Sequence, residues 1–346
     1  VTSSVLAIDW GNYWQQSIFR VAGAALFIIL GAGTFVIAFL FKMMSYMQSR
    51  LGPMEAGPHG TLQLLAEVGK WLQKEDLVPD RADARLFKLA PYLVLASTFL
   101  VAVVMPFGPD AYFVNLDTGI FLALALSSVS VIGIIVAGWA SANKFSLIGG
   151  LRAAGQLIAY ELPLVLAVVG VVIQAGTLNL QGIVAAQHQG EIFGWGGIGN
   201  PFILTQLLGF VIFMIATQAE LTQPPFDMPI AESEIVTGYM TEYTGMRFLL
   251  FFIGEFATAA VFSAIAATLF LGGWAVPFVD LDDNVMNVVG PIVLLVKMML
   301  VGTLIFWARF TFPRFREDQL QSFAWKALIP LSLVNILATM VLKVAF

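Results

Sequence analysis

The chain of 346 residues has no cysteine and only two histidines, His59 and His188. Iron–sulfur clusters need several thiolate ligands, and bis-histidine haem needs two imidazoles at matching depth. His59 falls in one loop and His188 in a loop on the opposite side of the expected bundle, so the two share no site. Glycine patterns of the Rossmann or phosphate-loop type are missing from any strand–turn–helix context. The chain is not expected to carry electrons or hydrolyse a nucleotide by itself. Charge is scarce too, at 11% against 59% hydrophobic residues. A soluble domain carries about 25% charged residues.

What is present is long apolar runs. Mean hydropathy is +0.87, and a bilayer core takes about 20 apolar residues per helix. Eight runs qualify: 21–41, 87–106, 119–140, 156–175, 202–219, 248–271, 289–308 and 327–345. The fold class is therefore an all-α integral membrane protein, one polytopic unit over 1–346 with about eight transmembrane helices. The first run reads as a retained span rather than a signal peptide. Its leader holds Asp9 and one basic residue, Arg20, and the run is too long for an h-region.

Basic residues orient the bundle. The loops after the first, third, fifth and seventh runs hold 14 of the 17 Lys and Arg, and the three opposite loops hold none. The basic side is expected to be cytoplasmic, with both termini on the periplasmic side. Nothing in the charge pattern points to nucleic acid.

Residues 219–247, AELTQPPFDMPIAESEIVTGYMTEYTGMR, lie on that basic side and yet are acidic. Glu220, Asp227, Glu232, Glu234 and Glu242 occur before the first basic residue, Arg247. Unpaired charge near hydrocarbon is costly and usually faces protein, water or a proton path. Pro224, Pro225 and Pro229 predict an irregular start. A short helix is expected over 230–243, with Glu232 and Glu234 about 200° apart on it. The spacing fits no calcium loop, and no histidine is near in sequence.

Three charges fall inside apolar runs: Glu161, Glu255 and Lys297. The two glutamates are expected on the order of 10 Å below the cytoplasmic end. All three are functional candidates, against a structural reading as a Glu–Lys pair that fixes packing. The first basic loop pairs a Gly/Pro hinge, RLGPMEAGPHG, with the amphipathic TLQLLAEVGKWLQKED. Leu65, Val68, Trp71 and Leu72 share one expected face; Glu67, Lys70 and Lys74 share another. That segment reads as an interfacial helix on lipid, or as the lip of a cavity.

Five ordered motifs carry a resemblance: RLGPMEAGPHGTLQ, KEDLVPDRADARLFKLAP, GGLRAAGQLIAYELP, AELTQPPFDMPIAESEIVTGYMTEYTGM and FWARFTFPRFREDQLQSFAWKALIPL. From about residue 48 onward the chain resembles the quinone-proximal membrane subunit family of proton-pumping NADH:quinone oxidoreductase, respiratory complex I. The resemblance implies a quinone chamber between this chain and peripheral subunits that carry the terminal iron–sulfur cluster. It implies a chamber wall of Arg50, Glu67, Lys70, Phe226, Asp227 and Arg247. It implies a proton or charge route through Tyr160, Glu161, Arg152, Glu220, Asp227, Glu232, Glu234, Glu242 and Glu255.

The implied substrate is ubiquinone or menaquinone, with NADH, FMN and iron–sulfur clusters held by partner subunits. Implied partners are those peripheral subunits, small membrane subunits, antiporter-like subunits and lipid. The implied location is the bacterial inner membrane, with the mitochondrial inner and thylakoid membranes as alternatives. Many relatives have an Arg where this chain has Gln223, and a Glu where it has Ile230; Glu55 replaces a basic residue. A related subunit of a membrane hydrogenase or a ferredoxin-driven photosynthetic complex stays open. So, from the residues alone, do a secondary ion transporter and a structural anchor.

Overall fold

A computed structural model describes residues 13–190, 200–276 and 282–345. Asp9 of the leader lies outside them. Helices α1 (Tyr13–Phe35), a π-helical stretch Val36–Met43 and α2 (Met44–Met47) form one continuous rod. The short α3 (Gln63–Gln73) follows the Gly/Pro hinge. Next come α4 (Ala84–Val103), α5 (Gly119–Ala140), α6 (Lys144–Ala175) and α7 (Leu180–Gln189). The acidic stretch lies between α8 (Leu207–Glu220) and α10 (Gly245–Phe270), and its one α-helical piece is the four-residue α9 (Glu232–Ile235). The chain closes with α11 (Asp283–Thr311), α12 (Glu317–Phe323), a π-helical stretch Ala324–Leu328, and α13 (Ile329–Ala345).

Every expected apolar run overlaps a helix. Among the described residues, however, seven rather than eight helical rods are long and apolar enough to cross a membrane. The exception is α8. Its 14 residues span about 21 Å, short of the roughly 30 Å hydrocarbon core. Residues before it turn on Pro201 and Gln206, and the Gln206 side chain is committed elsewhere. It accepts from Asn335 Nδ2 at 2.9 Å and donates to Thr339 Oγ1 at 2.6 Å. This amide clamp ties α8 to α13 where polar groups find no water.

The second departure is α6. Its apolar run begins near residue 156, yet the helix begins at Lys144. Asn143 caps it, accepting from Phe145 N at 2.8 Å. The polar-looking GGLRAAGQL is therefore helical and carries Arg152 onto the same rod as Glu161. Its glycines are packing surfaces. A Cβ on Gly149 would meet Tyr239 N at 2.6 Å, and one on Gly138 of α5 would meet Ser146 O at 2.7 Å.

The centre of the bundle is α10, which packs on α1, α4 and α11. Ala257, Ala259, Ala260, Ser263, Ala264, Ala266 and Ala267 are all buried along it, and small side chains let neighbouring helices approach closely.

Polar contacts gather at the two ends. At one end Arg152, Arg247, Arg309 and Arg314 meet carboxylates. At the other, Gln181 joins Trp274 Nε1 to Gly108 O, and Asn115 pairs with Asn179. Lys297 belongs to this second end. It donates to Gly273 O and Ala275 O at 2.8 Å each. Those carbonyls follow the C-terminus of α10, where a cation is favoured. Lys297 therefore acts as a cap, not as the partner of a buried glutamate.

Gly138→Ala is expected to destabilise the bundle by about 1–3 kcal/mol through overpacking. In contrast, Gly69 in α3 has nothing within 4 Å of a built Cβ. Gly69→Ala should stabilise by about 0.5–1 kcal/mol. Apparent melting temperatures in detergent, moving in opposite directions for the two variants, check both.

Candidate functional site

The acidic segment is an irregular clasp rather than a helix. The expected helix over 230–243 is stopped at Val236 (φ +64°) and Gly238 (φ +58°). At Gly238 a side chain is excluded, because a Cβ would lie 1.7 Å from Pro229 O. What survives is α9 and one 3₁₀ turn, Gly238–Met240, seated on Gly149. The clasp is pinned by amides. Gln156 Nε2 donates to Ala219 O and Phe226 O, both at 2.7 Å. Gln218 Nε2 donates to Pro224 O at 2.7 Å, and Phe315 N to Pro225 O at 2.9 Å.

Under the clasp lies a cavity of about 380 Å³. Its charged lining is Asp227, Glu232, Glu255, Arg309 and Arg314, with Gln223 beside them. Glu255 Oε1 accepts from Arg309 Nη1 at 3.4 Å and from Gln223 Nε2 at 3.3 Å. The Arg309 guanidinium sits 5.8–5.9 Å from the rings of Phe256, Phe306 and Phe310, within cation–π range. Arg314 donates to Asp227 O at 3.1 Å and Ser233 Oγ at 3.0 Å. Burial pushes the Asp227 carboxyl up to about 6; the Arg314 and Arg309 guanidiniums pull against it, while Glu255 and Glu232 add to the rise. Burial also pushes the Tyr239 phenol up, helped by Glu255 and Asp227.

The remaining route residues fall into separate groups. Burial pushes the Glu220 carboxyl at the end of α8 up to about 8, and Glu161 on α6 adds to the rise. Beside them Tyr160 is fully buried and donates to Leu320 O at 2.9 Å. Arg152 joins Glu234 (2.6 Å) to Glu317 (3.7 Å), and Arg314 approaches Glu234 at 3.8 Å. The hydrogen bond from Arg152 holds the Glu234 carboxyl below its usual range. Glu242 accepts from Asn143 Nδ2 at the far edge of the clasp. The charges form two inner carboxylate groups and an outer ion network, not one descending ladder.

The six residues implied as a chamber wall are also dispersed. Asp227 faces the polar cavity. Phe226 lines an apolar groove of about 560 Å³ between α8 and α11. Arg50 lines a pocket of about 470 Å³ with Phe41, Met44, Ser45 and Leu51. Arg247 pairs with Asp76 at 2.8 Å. Glu67 and Lys70 pair with each other on α3. That helix adjoins the cavity through Trp71, which stacks on Phe248 at 4.6 Å; Phe248 lines the cavity. The expected apolar face of α3 is split. Trp71 and Val68 turn inward, while Leu65 and Leu72 are exposed.

In the sequence Arg309 and Arg314 serve only as orientation signals. They lie in FWARFTFPRF, some eighty residues beyond Asp227 in the chain, and nothing local marks them as partners of the acidic clasp. Gln156 and Tyr239 give no signal at all. Among the described residues, no group of three or more His, Asp or Glu is placed to hold a metal ion.

A family profile described as NADH dehydrogenase matches residues 20–340. The chain is 45% identical over 330 residues to the H-type subunit of NADH-quinone oxidoreductase from Brevibacillus brevis, covering 95% of this chain and 94% of that protein. It is 43% identical over 339 residues to the protein of that name from Bacillus mycoides, covering 98% and 97%.

Asp227 sets a pH dependence whose sign is fixed. Its folded value of about 6 exceeds the unfolded value of about 3.9. The folded state therefore holds the extra proton, and stability from this group falls as pH rises between those values. Asp227→Asn is expected to flatten the fall in melting temperature across that window. An unchanged slope would show that Asp227 does not titrate there.

Proposed function

The chain belongs to the NADH dehydrogenase family, among the H-type subunits of NADH-quinone oxidoreductase, and we propose that it is the membrane subunit through which quinone reduction is coupled to proton movement. Its multi-pass, apolar helices suit a bacterial inner membrane. The clasp end, which carries the arginines, is read as cytoplasmic by the positive-inside rule, with both termini periplasmic. The chain is read as one polytopic unit.

Reducing a quinone to a quinol consumes protons as well as electrons. Without a cysteine the chain supplies no cluster ligands of thiolate type. Electrons are therefore assigned to partners holding NADH, FMN and iron–sulfur clusters, docked on the cytoplasmic end. Protons and charge are assigned to this chain. The observation that carries the reading is the cavity beneath the clasp. There Glu255 is balanced by one arginine and one neutral amide, both at long range. A buried carboxyl with one arginine and one neutral amide as its partners is a group whose proton affinity its surroundings can set, which is what a coupling site needs.

Within this reading Asp227, Glu232 and Glu255 form the group nearest the quinone chemistry. Glu161 and Glu220 form the next group, and Tyr160 and Arg152 fix the walls. Arg152, Glu234 and Glu242 belong to the outer face that receives the peripheral subunits. Arg50, Glu67, Lys70 and Phe226 are assigned to the quinone path along the first loop and the groove, and Arg247 to the brace holding that loop. Small and antiporter-like membrane subunits would receive the charge movement. Ubiquinone and menaquinone both fit this reading.

Glu255→Gln and Glu161→Gln are each expected to leave the complex assembled while lowering the protons moved per quinone reduced by about tenfold or more, as loss of a positioned proton donor does. Proton uptake and quinone reduction measured together in membrane vesicles decide it. Parental ratios in both variants would remove the coupling role.

A further inference from the structure

Four arginines at the clasp end, Arg152, Arg247, Arg309 and Arg314, each meet a carboxylate. Two cations at the same end do not. Arg81, in the loop before α4, and Lys144, the first residue of α6, make no ion pair or side-chain hydrogen bond among the described residues. Both line one pocket of about 490 Å³, and Asp80 and Glu242 line it with them. Asp80 is likewise without a partner among the described residues. Glu242 has only the neutral amide of Asn143. Two cations and two carboxylates thus border one space, and no ion pair joins them.

The backbone around this pocket is already satisfied. Asp83 accepts from Arg85 N and Leu86 N at the start of α4, and Asn143 accepts from Phe145 N at the start of α6. Asp83 N donates to Ala140 O at 3.1 Å and ties the two walls together. Both helix starts are therefore capped from within, and the chemistry of the pocket is that of its four charged side chains.

Its place in the bundle indicates what fills it. The pocket lies where the edge of the clasp meets the outer wall of α4, α5 and α6. Phe145, which lines it, is 46% exposed, and Trp139, two residues before its Ser141 wall, is 70% exposed. Further along the same helices Leu89, Tyr92 and Ile148 are exposed as well. Aromatic side chains beside basic ones mark the headgroup level of a bilayer, and basic pockets at the cytoplasmic ends of helices suit lipid headgroups. A purely anionic headgroup would satisfy the cations and be repelled by the carboxylates. A headgroup with a phosphate and a primary ammonium satisfies both. The phosphate accepts from the guanidinium and the lysine ammonium, and a primary ammonium has three N–H donors for the carboxylates. A trimethylammonium has none.

We infer that this pocket binds the headgroup of an aminophospholipid, with the phosphate on Arg81 and Lys144 and the ammonium on Asp80 and Glu242. It shares no lining residue with the cavity beneath the clasp and does not depend on the coupling role. The lipid stands at the border of the face assigned to the peripheral subunits, with its acyl chains along the exposed wall.

A water-soluble carbodiimide joins a carboxylate to a primary amine in contact with it, as an amide. The assembled complex is placed in vesicles of phosphatidylethanolamine and phosphatidylglycerol, or in vesicles with phosphatidylcholine in place of the phosphatidylethanolamine. The first are expected to give a lipid adduct on the peptide carrying Asp80; the second give none. Adducts at Asp117, exposed at the opposite end, set the level of chance contact. Arg81→Gln with Lys144→Gln is expected to lower the Asp80 adduct roughly fivefold or more. Should that double variant fail to assemble, Lys144→Gln alone is read in the same way. An Asp80 adduct no greater than that at Asp117 overturns the inference. Glycine amide then tells the cause: labelling of Asp80 shows an open pocket that takes no lipid, and no labelling shows a protein neighbour in its place. An adduct that persists at the parental level without the two cations overturns it too, because the phosphate is then not held there.

Discussion

The ion pairs that hold the acidic clasp come from outside it. Its five carboxylates have no basic residue of their own before Arg247. Arg152 from α6 and Arg314 from the turn after α11 both pair with Glu234 of the clasp, while Arg309 from the end of α11 pairs with Glu255 of α10 beneath it. Removing Arg309 would leave the buried Glu255 without its arginine, a larger loss than the pair's net worth. The position of α11 against α10 and the seating of the clasp on α6 therefore depend on one another. Gly149 serves the same constraint, since without its bare surface the 3₁₀ turn could not come close enough for Arg152 to reach Glu234.

The pairing is uneven in strength. On the outer face Arg152 and Glu234 are close, and the hydrogen bond from Arg152 holds the Glu234 carboxyl below its usual range. Inside the cavity Glu255 has one arginine at 3.4 Å and one amide at 3.3 Å. Asp227 lies between these regimes, with burial and two guanidiniums opposing each other.

Much of this architecture is legible in the chain. Apolar runs locate every long helix, and the acidic stretch stands out by composition. Hydropathy misjudges α6 and α8 for opposite reasons. The start of α6 is glycine-rich and carries Arg152, so it reads as a loop, but it is a helix because those glycines are contact surfaces for α5 and the clasp. The start of the fifth run is apolar and reads as a helix, but Pro201 and the amide clamp of Gln206 stop it. The pairing of Arg309 with Glu255 is a matter of tertiary placement, invisible to periodicity. Gln156 and Gln223 are uncharged and stand out only when their hydrogen bonds are traced.

The π-helical stretch Val36–Met43 carries a consequence for how chains of this kind can change length. A π turn accommodates one more residue than an α turn, so the stretch behaves as an insertion already absorbed into the rod. Phe35 and Phe39 still reach Phe306 from either side of its start, and Lys42 still reaches Pro53 O at 2.7 Å. A one-residue deletion there could relax the rod to α geometry while both flanking faces keep their contacts. The same deletion one turn earlier would rotate the whole first helix off α10. Tolerance to indels along this rod is therefore concentrated in eight residues.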